Sequence, residues 1–280
     1  MIQTLKKGSR GSDVKKLQEL LHMSNCDGVF GPATELALKQ WQSTHKDTSG
    51  KPLASDGICG QKTWDALIAS SAVTHTNPSV AINHQHASAI CTRKSNRSIK
   101  YIVIHYTAGA SSVAGKALAT RRDWLNRPKD KQASADFVVD DKEIVQINPD
   151  ITNYFCWSVG GDIYKGYGGA SLFRIATNSN VISIEMCSTL AKGTSAAAPN
   201  HDGWSVTQAV LDNTVKLVRY LMKEYNIPID RVIRHYDVNG KACPGMIGWN
   251  DAPIFDAKTG TKTTQKNNSQ KWLDFKRRLM

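Results

Sequence analysis

Apolar residues recur at helical spacing in three short runs over the first 70 positions of the chain. Val14, Leu17, Leu20 and Leu21 share one face behind Ser12, a residue type that caps helix N-termini. Ala37, Leu38 and Trp41 make a second stripe, and Trp64, Leu67 and Ile68 a third. Both tryptophans fall on the faces such helices bury, so they are expected in the core rather than as exposed sugar platforms. Between the runs the chain repeats itself: DGVFGPAT (27–34) is echoed by DGICGQKT (56–63). Each copy reads as an Asp-Gly turn, an apolar residue, a second glycine able to take positive φ, and a helix start. The expectation is a small all-α three-helix domain over residues 1–70.

Residues 71–97 lose the periodicity and are rich in Ser, Asn, Thr and Ala, which reads as a partly ordered linker. His84 and His86 in that stretch lack a supporting carboxylate or cysteine pattern and read as surface histidines. From residue 98 to 280 strand and helix patterns alternate. KYIVIHYTA (100–108) has the β-branched, mostly apolar character of a buried strand. A helix is predicted near 115–126, ending at Arg127-Pro128. ADFVVDD and EIVQIN suggest a hairpin turning at Asp140-Asp141-Lys142, and NVISIEMC (180–187) another core strand. Residues 162–177 and 188–204 are Gly/Ala/Ser-rich loops suited to bordering a cleft. A long helix from Ser205 to Tyr225 carries Val206, Val210, Leu217, Leu221 and Tyr225 on one side, and Asn226-Ile227-Pro228 stops it. SQKWLDFKRRLM closes the chain as a basic amphipathic helix. The fold class expected for 98–280 is α/β (α+β), a central mixed sheet flanked by helices.

Composition narrows the partners. Apolar residues make up 40% of the 280, ordinary for a water-soluble domain, and no run approaches the roughly 18 apolar residues of a membrane helix. No membrane insertion is therefore expected. The opening MIQTLKKGSRGSDVKK has no apolar core behind its lysines, which reads as a chain made in the cytoplasm without a signal peptide. The net charge of +12 favours a polyanion: nucleic acid, an anionic membrane or an anionic wall polymer. No nucleic-acid motif accompanies the charge, so no nucleic-acid partner is expected. The six cysteines are irregularly spaced and do not suggest a disulfide framework, although a Cys26–Cys59 bond stays open.

The chemistry centres on DRVIRHYDVNGKACPG (230–245), which sets His235 eight residues ahead of Cys243. Imidazole nitrogen and thiolate sulfur both bind zinc, and a loop of this length lets the two reach one ion. Two donors do not hold zinc tightly, and the best source of a third is His105 at the end of the apolar run. Three protein ligands with one open position describe a catalytic rather than a structural zinc site.

GSRGSDVKKLQELL, DGVFGPATELALKQWQ and DGICGQKTWDAL, over about residues 5–69, resemble the peptidoglycan-binding domain that accompanies many cell-wall hydrolases. IVIHYTAG, ASADFVVDDKEIVQ, CWSVGG, NVISIEMC and RHYDVNGKACPG resemble, in the same order, the zinc-dependent N-acetylmuramoyl-L-alanine amidases, which share a fold with the peptidoglycan recognition proteins. The resemblance implies one Zn2+ on His105, His235 and Cys243, with Glu185 as general base. It matches Lys241 to a cationic position that stabilises the oxyanion, and it sets Trp157 beside the cleft as a substrate-binding candidate. It also implies hydrolysis of the amide between N-acetylmuramic acid and L-alanine of the stem peptide, as in a phage or prophage endolysin. The partner would be bacterial peptidoglycan, with anionic wall polymers besides, and the protein a monomer acting on the wall after release. Some phage members carry a catalytic tyrosine at the position of Ala135; alanine has no proton to move, which shifts the base role towards Glu185. Two alternatives stay open: a non-catalytic peptidoglycan receptor on the same fold, and a zinc peptidase cutting within the stem peptide.

Overall fold

The structure, a computed structural model, describes residues 4–21, 23, 26–73, 80–109 and 115–280. The chain divides into two compact units, Met1–Ser79 and Val80–Met280.

The first unit packs three helices, α1 (Ser12–Leu20), α2 (Pro32–Thr44) and α3 (Gln61–Val73), around Leu5, Val14, Leu17, Phe30, Leu38, Trp64 and Leu67. Trp64 is buried and Trp41 partly so, its ring stacked on His45 with centroids 4.0 Å apart. The repeated loops adopt one geometry. Positive φ falls at the first glycine of each copy, Gly28 (73°) and Gly57 (74°), and not at the second: Gly31 is extended, with φ −92° and ψ −174°, and serves as the N-cap of α2. The reason lies in the Asp-Gly turn, where the Asp27 and Asp56 carboxylates accept from the amides two residues on, Val29 and Ile58. Ser12 does not cap α1 either; it is the first helical residue, and Gly11 precedes it with no side-chain bond.

The second unit is built on a six-stranded mixed sheet. In chain order its elements are β1 (Ile82–His84), β2 (Cys91–Arg93), β3 (Tyr101–Tyr106), α4 (Lys116–Asn126), β4 (Phe137–Val139), β5 (Ile144–Gln146), β6 (Tyr154–Cys156), β7 (Val181–Met186), β8 (Thr189–Leu190), β9 (Trp204–Ser205), α5 (Gln208–Glu224), β10 (Val232–Arg234), α6 (His235–Asn239) and α7 (Gln270–Arg277). The strand order is β1-β5-β4-β7-β3-β10, parallel except for the β4–β5 hairpin. Asp140 shapes that hairpin, its carboxylate accepting from the amides of Lys142 and Glu143 and, through the other oxygen, from Ala117 in the first turn of α4. Helix α5 buries Val210, Leu217, Val218 and Leu221 against one face of the sheet, capped by the Thr207 hydroxyl accepting from Val210 N–H. It ends at Glu224, and Asn226 just beyond takes a left-handed φ of 50° ahead of Ile227-Pro228. Helix α7 joins the same core through Trp272 and Phe275. Ala135, Val138 and Val145 cluster with Trp124 of α4.

Part of the stretch read as linker is integral to this unit. Strand β1 pairs with β5 at the sheet edge, β2 pairs with β6, and Arg97 is buried with its guanidinium on the carbonyls of Tyr154, Val181 and Ser179, 3.7 Å from Asp136. Three-residue strands held by backbone pairing and one arginine leave no hydrophobic period to read. Residues 74–79 lie outside the described residues.

Candidate metal centre

Three adjacent parallel strands deliver the site. On β3 and β7, His105 is the direct register partner of Glu185. On the other side β10 runs in register with β3, Arg234 opposite Ile104, so that His235, the next residue, continues beside His105. The three side chains thus come from the C-terminal ends of neighbouring parallel strands, where open α/β sheets characteristically bind ligands. The apolar runs that bury these strands also fix the register, because a one-residue slip would turn each of these side chains to the opposite face.

Helix α6 then turns the chain back. Gly240 closes it in the left-handed region (φ 80°), and the Asn239 side chain accepts from Lys241 N–H. The amide of Tyr236 bonds the carbonyl of Cys243 at 3.0 Å. As a result Cys243 Sγ lies 3.7 Å from His105 Nδ1, and the two imidazole rings stand edge-on with centroids 4.8 Å apart. One donor atom from each of His105, His235 and Cys243 lies within 4.8 Å of the others, and all three residues are buried. Exposed His84 and His86 stand 5.6 Å apart, ring to ring, and are not part of this group.

The electrostatics single the group out. His105 Nε2, both ring nitrogens of His235 and Glu185 Oε2 are buried with no hydrogen-bond partner. Burial pushes the His235 pKa down to about 3, with the Lys241 charge adding to the effect, and drives that of His105 well below its usual value, helped by His235 and Lys241. Both imidazoles are therefore neutral at pH 7 and able to donate a lone pair. Burial raises the Cys243 thiol to about 12, as does Glu185, against the opposing pull of Lys241 and of a hydrogen bond from the Tyr106 backbone. Glu185 is raised to about 8 by burial, although Lys241 and Arg127 lower it. A buried cluster of unpaired lone pairs is costly unless a ligand satisfies it, and two neutral imidazoles with one thiolate are donors that suit zinc. The residues present therefore fit a metal ion.

Lys241 is exposed at the rim, where its charge reaches Glu185, both histidines and Cys243. Trp157 packs against the Trp124 cluster, and its indole N–H donates to Thr92 at 2.7 Å. Sequence reasoning missed the brace behind His235. Arg234 grips Asp237 through two nitrogens (2.6 and 3.0 Å) and donates to the Trp249 carbonyl and the Ser269 hydroxyl. The Arg-x-x-Asp spacing around His235 was the available signal. The 162–177 loop was expected at a cleft, but not its pairing along α6, where the Tyr164, Ala170 and Leu172 amides bond the Asn239, Tyr236 and Asp237 carbonyls. Gly169 is needed there: a Cβ would sit 2.4 Å from the Tyr236 carbonyl oxygen.

A mixed sheet that carries a buried His-His-Cys group at the C-terminal ends of its parallel strands, with donors able to hold a metal ion, defines an α/β domain. The model of the N-acetylmuramoyl-L-alanine amidase family matches residues 95–246, and the chain belongs to that family. The putative peptidoglycan binding domain matches residues 10–67. N-acetylmuramoyl-L-alanine amidase CwlL of Bacillus licheniformis is 30% identical over 181 residues, 61% of this chain and 44% of that protein. CwlA of Bacillus subtilis (strain 168) is 31% identical over 148 residues, 53% of this chain and 44% of its own length. The chain thus spans less than half of either relative. Among solved structures, a mutant endolysin from Bacillus subtilis aligns over 71% of this chain and 99% of its own, at 24% identity and a TM-score of 0.46.

Proposed function

We propose that the chain is a zinc-dependent peptidoglycan hydrolase that cleaves the amide between N-acetylmuramic acid and L-alanine of the stem peptide. The observation that carries this reading is the buried His105–His235–Cys243 group beside Glu185, in which three of the four imidazole nitrogens have no hydrogen-bond partner. Family membership supplies the bond.

His105, His235 and Cys243 would hold one Zn2+. When bound, the ion supplies Lewis acidity and lowers the pKa of water from 15.7 to roughly 7. Glu185 takes the proton of the attacking water and passes it to the leaving amine of L-alanine. A carboxyl with a pKa of about 8 is mostly protonated at pH 7, but a cation beside it favours the carboxylate, so Glu185 becomes a base only in the loaded protein. Lys241 faces the negative charge that develops on the carbonyl oxygen, a contribution often worth about 3–4 kcal/mol. Ala135 is fully buried among apolar side chains and moves no proton, so the base role rests with Glu185. Trp157, fastened by Thr92, would stand beside the bound substrate.

The helical unit would hold the enzyme on the wall, in keeping with its match to a putative peptidoglycan binding domain. The positive charge falls mostly on the other unit: residues 80–280 carry 27 Lys and Arg against 17 Asp and Glu, whereas residues 1–79 carry nine against seven. Attraction to anionic wall polymers would therefore come from the amidase unit and weaken with salt. Among the described residues no helix is long and apolar enough to cross a membrane.

The test is product identification after digestion of purified peptidoglycan, with and without a chelator. New L-alanine amino termini that vanish with chelation are expected. Binding without release would favour a receptor, and new termini within the stem peptide would favour a peptidase.

A further inference from the structure

Cys91 and Cys156 are direct register partners across the antiparallel β2–β6 pair, and their sulfurs lie 3.3 Å apart. Residues opposed in this way have Cα atoms about 4.5 or 5.5 Å apart, and both separations fall within the span of a disulfide. Cys91 is partly exposed and Cys156 buried. Neither belongs to the metal-binding group, and neither has a part in the amidase chemistry.

We propose that Cys91 and Cys156 form a thiol pair that closes to a disulfide when the protein meets a small-molecule disulfide oxidant. The accessible sulfur starts the exchange. Cys91, as thiolate, attacks one sulfur of the oxidant, forming a mixed disulfide and expelling one thiolate. Cys156 then loses its proton and attacks Cys91 Sγ, expelling the second thiolate. Two protein thiols become one disulfide with the loss of two hydrogens, and the oxidant is reduced to two thiols. Burial, together with the hydrogen bond between its thiol and Cys91, holds the Cys156 pKa well above its usual value, so the second step is slow at neutral pH and quickens as pH rises.

The bond would matter because of where its ends lie. Strand β2 belongs to the stretch that carries no hydrophobic period of its own. Strand β6 runs straight into Trp157–Gly160, and the Gly160 carbonyl accepts from the Asn239 side chain in the metal-ligand segment. Closure would fasten these two strands and enclose β3, α4, β4 and β5 in a covalent loop. Long loops gain the most from a cross-link that spares native geometry.

The experiment incubates the whole zinc-loaded chain with oxidised glutathione, so that the metal occupies Cys243. Free thiols are counted after denaturation, and intact mass, linked peptides and Tm are measured. The expected result is loss of two of the six thiols, a mass lower by two hydrogens and one linked peptide pair joining residues 91 and 156. Tm should rise by about 4–10 °C, and dithiothreitol should reverse the rise. Cys91→Ser, at the more accessible position, should abolish both thiol loss and Tm shift; Cys156→Ala should do the same, so a folding failure in one leaves the other. Retention of all six thiols, a lasting glutathione adduct on Cys91, or a bond to any other cysteine would overturn the proposal.

Discussion

Gln18 and Gln42 in the helical unit, and His105 and His235 in the mixed-sheet unit, are all at most 4% exposed, yet they are provided for in opposite ways. The Gln18 amide nitrogen lies within hydrogen-bond reach of Asp27 Oδ1, Val29 O and Thr34 Oγ1 (2.9–3.1 Å), while its oxygen accepts from Gly28 N–H at 2.8 Å. Gln42 repeats the arrangement in the second loop, with Asp56, Ile58, Thr63 and Gly57. Each glutamine staples one copy of the repeat and leaves nothing over. In the metal centre, three of the four imidazole nitrogens have no partner. A satisfied buried polar group specifies a fold; an unsatisfied one is a place prepared for something else.

That contrast can be broken most forcefully at His105. His105→Ala should reduce bound zinc to background by elemental analysis and lower wall lysis by about 10³-fold or more. Undiminished zinc would remove His105 from the ligand set. Glu185→Gln should keep the metal while slowing lysis by about 10²–10⁴-fold, and full lysis by that variant would take the base role away from Glu185. Lys241→Met should also retain zinc, with kcat reduced by about 10²-fold; an unchanged kcat would make Lys241 a solvated bystander.

On the other side of the comparison, Gln42→Ala strands the Gly57 amide and the loop acceptors. It should destabilise the helical unit by about 1–3 kcal/mol in denaturant melts, with no loss of zinc from the chain. A variant as stable as the parent would mean that the staple is ornamental.

The smallest effect per step is one of pH. Unfolded imidazoles take up protons below about 6.5, whereas His235 in the folded, chelated protein stays neutral down to about pH 3 and His105 also stays neutral well below its usual value. Across that window the unfolded chain binds more protons, so stability falls as pH falls. The slope is about 1.4 kcal/mol per pH unit for each histidine below about pH 6.5, and Glu185, which the folded chelated protein keeps protonated up to about pH 8, offsets one of the two. Melts of the chelated protein at pH 7, 6 and 5 should show the net loss, and His235→Asn should remove most of it. A flat profile would mean that the two imidazoles are hydrated rather than buried neutral.

Much of this was legible beforehand because it is local. Helical stripes at Val14–Leu17, the β-branched run before His105 and the Asp140 turn are readable without knowing what lies opposite. The donor triad was readable because histidine and cysteine are few and a short loop limits their reach. Other features leave no such mark. The staples of Gln18 and Gln42, the Arg234–Asp237 brace and the edge strand β1 each depend on a partner distant in sequence or on backbone pairing alone, and neither has a period. The positive φ at Gly28 and Gly57, rather than at Gly31 and Gly60, was likewise decided by the Asp side chains folding back on their own loops.

The order of residue types along the chain by itself determined the element types, the division between a helical unit and a mixed-sheet unit, and the donors available for a metal. Tertiary structure alone decided that Glu185, His105 and His235 lie side by side, because that depends on strand order β7-β3-β10 and its register. It also decided that their lone pairs are cut off from water. Side-chain chemistry is written residue by residue, but dehydration and juxtaposition are properties of the packed sheet, and those two properties make ordinary imidazoles candidate metal ligands.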